Sequence, residues 1–251
     1  RSFQEDLQQT QKELSTALAK EKEINSLKSS FISMVSHEYK TPLTAIMSAT
    51  ELLSRFFDLG DKEKHSKYIE RIAGQVKAMN SMLEDVLLLG IYDSKVKSRN
   101  LKTSNLTELT RQLTEESRTI DQSRHDIYFK PNSSIIMIAI DNQAYSHVLT
   151  NLLSNAQKYS PVGSRIIVEL ADKGSVVSLK VKDFGIGIAE NELNFMFENF
   201  FRGTNVGSVP GTGLGLAIVK RALGELNGEI LVDSKVGEGT TLTVLLPKVI
   251  I

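Results

Sequence analysis

SHEYKTPLTAI, residues 36–46, lies in what otherwise reads as a long amphipathic helix, yet it carries a proline one turn after a histidine and a glutamate. Proline in a helix interior removes a donor and crowds the carbonyl four residues back, at a cost of about 3 kcal/mol or more. On an ideal helix His37 points about 120° from the centre of the apolar stripe, so it faces outward, with Thr41 one turn above and Glu38 between His37 and the core. Pro42 leaves the carbonyl of Glu38 without its usual donor and is expected to bend the helix just beyond His37. An exposed imidazole beside a carboxylate suits nucleophilic chemistry: the carboxylate takes the proton from one nitrogen while the other attacks.

Working outward, Phe31, Val35, Pro42, Ala45, Ile46, Ala49, Leu53 and Phe56 fall on one stripe at helical spacing. FDLGDKEKH, residues 57–65, supplies a break. A second helix carries Ile69, Ile72, Val76, Met79, Leu83 and Val86 and ends near Gly90. Two apolar helices joined by a short turn form a hairpin. One hairpin cannot cover so continuous a seam, which predicts a homodimer closing a four-helix bundle. Upstream, residues 1–28 are rich in Glu, Lys and Gln without Gly or Pro, and Leu7, Thr10, Leu14 and Ala17 follow a 3–4 spacing. They read as a coiled-coil helix with a local skip at Lys20–Glu23.

The totals bound the rest. The chain has 251 residues, 30 basic and 30 acidic, so no net field favours nucleic acid or an anionic membrane. There is no cysteine, which excludes disulfides and thiolate metal sites and suits a reducing compartment. No apolar run reaches the length of a membrane span. The polar opening lacks an initiator methionine. A cytoplasmic piece of a longer protein, itself without membrane contact, is the expectation.

Residues 96–104 read as a polar linker, after which the grammar turns α/β. Helices are expected at 105–121 and 141–159, strands around HDIYF, IIMIAI, RIIVEL and VVSLKVKD, a short helix over AENELNFMFEN, a helix in GLAIVKRALGELNG, and a closing hairpin. That pattern predicts a sheet covered by helices on one face.

Four features of this half could carry chemistry. Helical geometry gathers His147, Asn151, Asn155 and Lys158 on one polar strip bordered by Tyr159, opposite the apolar Val148, Leu149, Leu152, Leu153 and Ala156. Amide oxygens suit a hard cation such as Mg²⁺, a lysine reaches phosphate, and a tyrosine can lie against a sugar or base. KDFGIGI, 182–188, places Asp183 at a strand end, where it could accept from an exocyclic amine, with Gly185 and Gly187 letting the backbone close over a ring. Gly211, Gly213 and Gly215 open a helix and could present N–H groups to phosphate. Their spacing is not the dinucleotide fingerprint, and no H-R-D loop accompanies the D-F-G, which excludes a Ser/Thr/Tyr kinase.

Taken in order, SHEYKTPL, NLLSNAQKYS, DFGIGI, FENFFR and GTGLGLAIV resemble the H, N, G1, F and G2 boxes of the bacterial sensor histidine kinases, and VGEGTTLTVLLP is similar to that family's last hairpin. The resemblance covers roughly residues 29–251. It implies a dimerisation and phosphotransfer hairpin at 29–95 and an ATP-binding α/β two-layer sandwich of the Bergerat type at 105–251. By the same resemblance His37 is the phospho-acceptor, Glu38 its base, and Thr41 the residue that positions water for dephosphorylation of a partner. Asn155 would ligate Mg²⁺ with Asn151 beside it, Lys158 would contact phosphate, Tyr159 would cover the nucleotide and Asp183 would read the adenine amine. Arg202 would meet the γ-phosphate, and Gly211, Gly213 and Gly215 would fold a lid over the phosphates. Gly185, Gly187, Leu216 and Thr241 complete the expected nucleotide site. The implied partner is a response-regulator receiver domain. Phosphatase bias and a catalytically silent dimeric scaffold are the competing readings. Tyr39-Lys40 replaces the family's more usual Leu-Arg, and His147 stands where Gln is frequent, which suggests a rim position. His65 and His125 read as solvated.

Overall fold

A computed structural model describes residues 3–57, 62–93, 100–207, 209 and 211–248. The chain divides into two compact units, Arg1–Ser81 and Met82–Ile251.

The first unit is helical. Helix α1 runs from Phe3 to Phe57, with Pro42 inside it. Pro42 lacks the N–H that would bond the Glu38 carbonyl, but the turns on either side keep the helical path. Helix α2 runs from Lys62 to Asp93. It therefore starts inside the expected break, because Lys, Glu, Lys and His at 62–65 all tolerate helix, and it continues through Gly90. Ala49 is buried, and Phe31, Val35, Pro42, Ala45, Ile46 and Leu53 are half-buried; the Phe56 side chain and the hairpin turn lie outside the described residues. On α2 the apolar seam splits. Ile72, Met79 and Val86 are half-buried, whereas Ile69, Val76 and Leu83, seven residues apart, are exposed. Ile32, Leu43 and Met47 of α1 are exposed as well.

The second unit takes in the last turns of α2 and then alternates strands and helices: β1 (Lys102–Asn105), α3 (Leu106–Asp121), β2 (Asp126–Pro131), β3 (Met137–Ile140), α4 (Asn142–Tyr159), β4 (Arg165–Asp172), β5 (Val176–Lys182), α5 (Gly215–Leu226), β6 (Glu229–Lys235) and β7 (Gly239–Pro247). One sheet has the strand order β2-β4-β5-β7-β6, with β2 parallel to β4 and the other pairs antiparallel. β1 and β3 form a separate antiparallel pair, so the expected linker ends in a strand at residues 102–104. Alternation sends Ile166, Val168 and Leu170 of β4, Val177, Leu179 and Val181 of β5, and Leu242, Val244 and Leu246 of β7 to one buried face. Against it lie the helices, α4 packed on α3 and α5, with Val148, Leu149, Leu152 and Leu153 essentially sealed from solvent.

The caps explain where the helices start. Asn105 accepts from Thr107 N at the head of α3, and Asp141 accepts from Gln143 N and Ala144 N at the head of α4. The helix expected over 189–199 is instead a single 3-10 turn, Glu190–Glu192, followed by further turns closed by i→i+3 bonds such as Phe195 N to Glu192 O and Glu198 N to Phe195 O. Ala189 offers no side-chain cap there, so the orphan N–H groups are met by tight turns rather than by a helix.

Candidate active site

His37 stands on α1 with its side chain 77% exposed, and its Nδ1 lies 3.6 Å from Glu38 Oε1. That is beyond hydrogen-bond length but within reach of one rotamer change. Thr41 is exposed one turn further along α1.

In the second unit a cavity opens between α4, the inner face of the sheet and the segment 186–206. Asn155 and Tyr159 of α4, Asp183 after β5, Gly187, Arg202 and Leu216 all line it. Asp183 is held rigidly: its Oδ1 accepts from Gly185 N at 2.9 Å and Thr240 N at 3.1 Å, while its own N–H donates to the Thr240 carbonyl. Burial raises its carboxyl above the usual Asp range, and the two N–H donors oppose that shift. A half-buried carboxylate at a cavity wall can receive a ligand amine.

The two glycines after Asp183 answer different needs. A Cβ on Gly185 would lie 2.3 Å from the Tyr159 carbonyl, so the loop must pass bare beneath the end of α4. Gly187 has φ +66° and a Cβ there would lie 2.0 Å from the Lys235 carbonyl. Both are steric requirements of the chain crossing itself.

The Gly-rich segment before α5 meets α4. A Cβ on Gly215 would come within 2.8 Å of Asn151 Oδ1, and one on Gly211 would touch the Tyr159 hydroxyl at 3.5 Å. Gly213, at φ +69°, crosses the backbone of Phe200. Between them Thr212 donates to Asp85 Oδ2 at 3.1 Å and accepts from Leu214 N at 3.2 Å.

Not every expected residue reaches the cavity wall. Asn151 donates its amide to the His147 carbonyl at 2.8 Å. Lys158 lies toward Asp85: burial lowers the lysine and raises the aspartate, and each charge partly offsets the shift of the other. Thr241 is on the wrong side of β7. The strand buries Thr240, Leu242 and Val244 and turns Thr241 to the other face, opposite Lys182 and Asp233, so Thr240 is the threonine at the cavity. Counting alternate residues back from Leu242 would have found it. Glu192 and Asn205, also at the wall, had no pattern to announce them.

The other histidines differ from expectation in two cases, since a solvated position is expected for both His65 and His125. His125 is buried, with Nδ1 2.9 Å from Asp121 Oδ1 and Nε2 3.3 Å from the Ser160 carbonyl. Arg124 and the turn at 122–124 fold it inward, which a polar local sequence conceals. His65 is half-buried, and His147 meets the Tyr92 hydroxyl at 2.8 Å rather than the cavity.

Residues 27–95 match the family described as His Kinase A (phospho-acceptor) domain, and residues 140–250 match Histidine kinase-, DNA gyrase B-, and HSP90-like ATPase. The chain belongs to the sensor histidine kinases. Sensor histidine kinase YvrG of Bacillus subtilis is 32% identical over 229 residues, 90% of this chain and 39% of that protein. The chain thus spans less than half the length of that curated relative. Among solved structures, mycobacterial sensor histidine kinase MprB aligns at 30% identity and a TM-score of 0.54, over 59% of this chain and 98% of that one. Histidine kinase ThkA, solved in complex with response regulator protein TrrA, shares the fold at a TM-score of 0.68 and 22% identity, over 87% of this chain and 61% of that one. The helical hairpin followed by an α/β layer is therefore the architecture of this kinase family.

Proposed function

We propose that this protein is an ATP-dependent protein-histidine kinase that phosphorylates its own His37 and passes the phosphoryl group to an aspartate of a response-regulator receiver domain. The observation that carries the proposal is an exposed imidazole beside a carboxylate, within the stretch matching the phospho-acceptor family, in a chain that also matches the ATPase family. Glu38 draws the proton on Nδ1 and so raises the nucleophilicity of Nε2. Nε2 attacks the γ-phosphorus, the bond to the bridging oxygen breaks, and ADP leaves with that electron pair. An aspartate carboxylate of the receiver then takes the phosphoryl group and His37 returns to its starting state. ThkA was solved with a response regulator, which supports a partner of that class here.

Positioning and charge neutralisation dominate such transfers. Asp183 would accept the adenine amine, Tyr159 and Leu216 would flank the nucleoside, and Arg202 would face the γ-phosphate, with Gly211, Gly213 and Gly215 folding over the phosphates. Lys158 would exchange Asp85 for phosphate. The donor set fits Mg²⁺: Asn155 offers a neutral oxygen at the wall, and the described residues contain no cluster of three or more His, Cys, Asp or Glu that would select another metal. Bound with ATP, Mg²⁺ would neutralise the phosphate charge. Thr41 would orient water when the receiver is dephosphorylated. The exposed heptad row Ile69, Val76 and Leu83 would be covered by a second copy, closing a four-helix bundle.

The test is incubation with γ-labelled ATP and Mg²⁺, wild type beside His37→Ala and Asn155→Ala. Acid-labile, base-stable label in wild type alone supports the proposal. Wild-type label that survives in His37→Ala removes the assigned nucleophile, and absence of ATP binding would leave the dimeric scaffold.

A further inference from the structure

Asp85, on the last turns of α2, is a half-buried carboxylate set among groups that would serve phosphate. Its Oδ2 accepts from the Thr212 hydroxyl at 3.1 Å. The positive charge of Lys158 is near enough to favour the ionised carboxylate, against the burial that opposes it. Thr212 stands between Gly211 and Gly213, and Lys158 is the next-to-last residue of α4. A Cβ on Gly211 would touch the Tyr159 hydroxyl at 3.5 Å, and one on Gly215 would lie 2.8 Å from Asn151 Oδ1 and 3.8 Å from Asn155 Oδ1. The carboxylate therefore sits where the end of α4 meets the glycine-rich segment, beside the cavity that Asn155 and Tyr159 line.

A second contact seats the same stretch of α2. Tyr92, about two turns beyond Asp85, brings its hydroxyl to 2.8 Å from His147 Nδ1, and the two rings meet edge to face at 6.0 Å. His147 and Lys158 belong to one polar strip of α4, so the last turns of α2 run beside that strip in the opposite sense. Met82, Leu89 and Tyr92 are buried, and at 100° per residue they share one face of α2 with Asp85. Packing as well as charge carries the acid to its place.

We propose that Asp85 is an internal competitor of the nucleotide phosphates, engaging Lys158 and Thr212 in their stead, so that ATP binding and the seating of the last turns of α2 exclude each other. The proposal rests on the ATP reading of the cavity. Two anions repel when brought to one ammonium. Such a coupling is reciprocal: what Asp85 takes from ATP affinity, ATP takes from the hold on α2. Asp85 thereby sets nucleotide affinity through the phosphates and not through the adenosine moiety.

Isothermal titration of the whole chain with ATP in Mg²⁺, and separately with adenosine, tests it in wild type, Asp85→Asn, Lys158→Met and the double variant. Asparagine keeps the side-chain volume and still accepts from Thr212, so the substitution removes the charge alone. Asp85→Asn is expected to bind ATP about fivefold or more tightly than wild type, and adenosine equally. The gain should largely vanish in the Lys158→Met background. Hydrogen exchange at residues 82–93 should quicken when ATP is added to wild type. ATP affinity unchanged by Asp85→Asn overturns the inference and leaves the ATP site standing. So does a gain that persists in full without Lys158 or that adenosine shares, and so does exchange that ATP leaves unaltered. Failure of wild type to bind either ligand removes the underlying site instead.

Discussion

The Thr212 hydroxyl donates to Asp85 at 3.1 Å while accepting from Leu214 N at 3.2 Å, so one side chain ties the last turns of α2 to the glycine-rich segment that opens α5. It thereby satisfies the N–H of Leu214, the residue before α5, whose own side chain caps nothing. Thr212→Val keeps the shape and removes both bonds. The loss expected in urea unfolding is about 1–3 kcal/mol, because a half-buried carboxylate and an N–H each lose a partner. Thr212→Ser should recover most of it. No change on Thr212→Val would mean that the bond contributes nothing in solution.

On the proposed function, Asp183 would link proton binding to nucleotide binding. Its folded-state pKa is raised above 3.8 by burial. Between these two values the folded state holds a proton that the unfolded state does not. The Asp183 contribution to stability is therefore full below 3.8 and is lost as pH rises through the folded-state value. ATP affinity should move the other way, weakening as the carboxylate is neutralised at a pH above the usual Asp range. Titration of ATP from pH 7 downward checks this, with Asp183→Asn expected to bind weakly and without that pH step.

Two glycines with positive φ separate strain from collision. Gly163, at φ +83°, has nothing within 4 Å of the place a Cβ would occupy, whereas Gly187, at φ +66°, would drive a Cβ to 2.0 Å from the Lys235 carbonyl. Gly163→Ala should cost about 1–2 kcal/mol from the left-handed backbone alone. Gly187→Ala should cost more than twice that and reduce ATP binding, since the loop beside Asp183 must move. Equal melting temperatures for the two variants would contradict the crossing of Gly187 over β6.

The Asp121–His125 pair is a buried support. The Asp121 carboxylate accepts the His125 backbone N–H at 2.7 Å and meets its ring nitrogen at 2.9 Å, with both side chains almost fully buried. His125→Leu leaves that carboxylate short of a partner and should cost about 3–5 kcal/mol. Adding Asp121→Asn should return part of the loss, because a neutral amide still accepts the backbone N–H. Chemical denaturation of the two variants measures both.

Motif order and periodicity carried much of this protein in the linear sequence. The α4 polar strip, the apolar face opposite it and the strand alternation are local consequences of 3.6- and 2-residue periods, so they are readable without a fold. The family followed from motifs whose order along the chain no single motif supplies. Three things came only with tertiary structure. The burial of His125 depends on a turn that brings it under α4, and polarity of the neighbouring residues says nothing of that. The shift from Thr241 to Thr240 depends on register, where one residue reverses the face. The convergence of Glu192 and Asn205 on Gly203 joins residues whose spacing matches no period, held together by hydrogen bonds to Thr204 and Gly187 that exist only once the chain has folded back on itself.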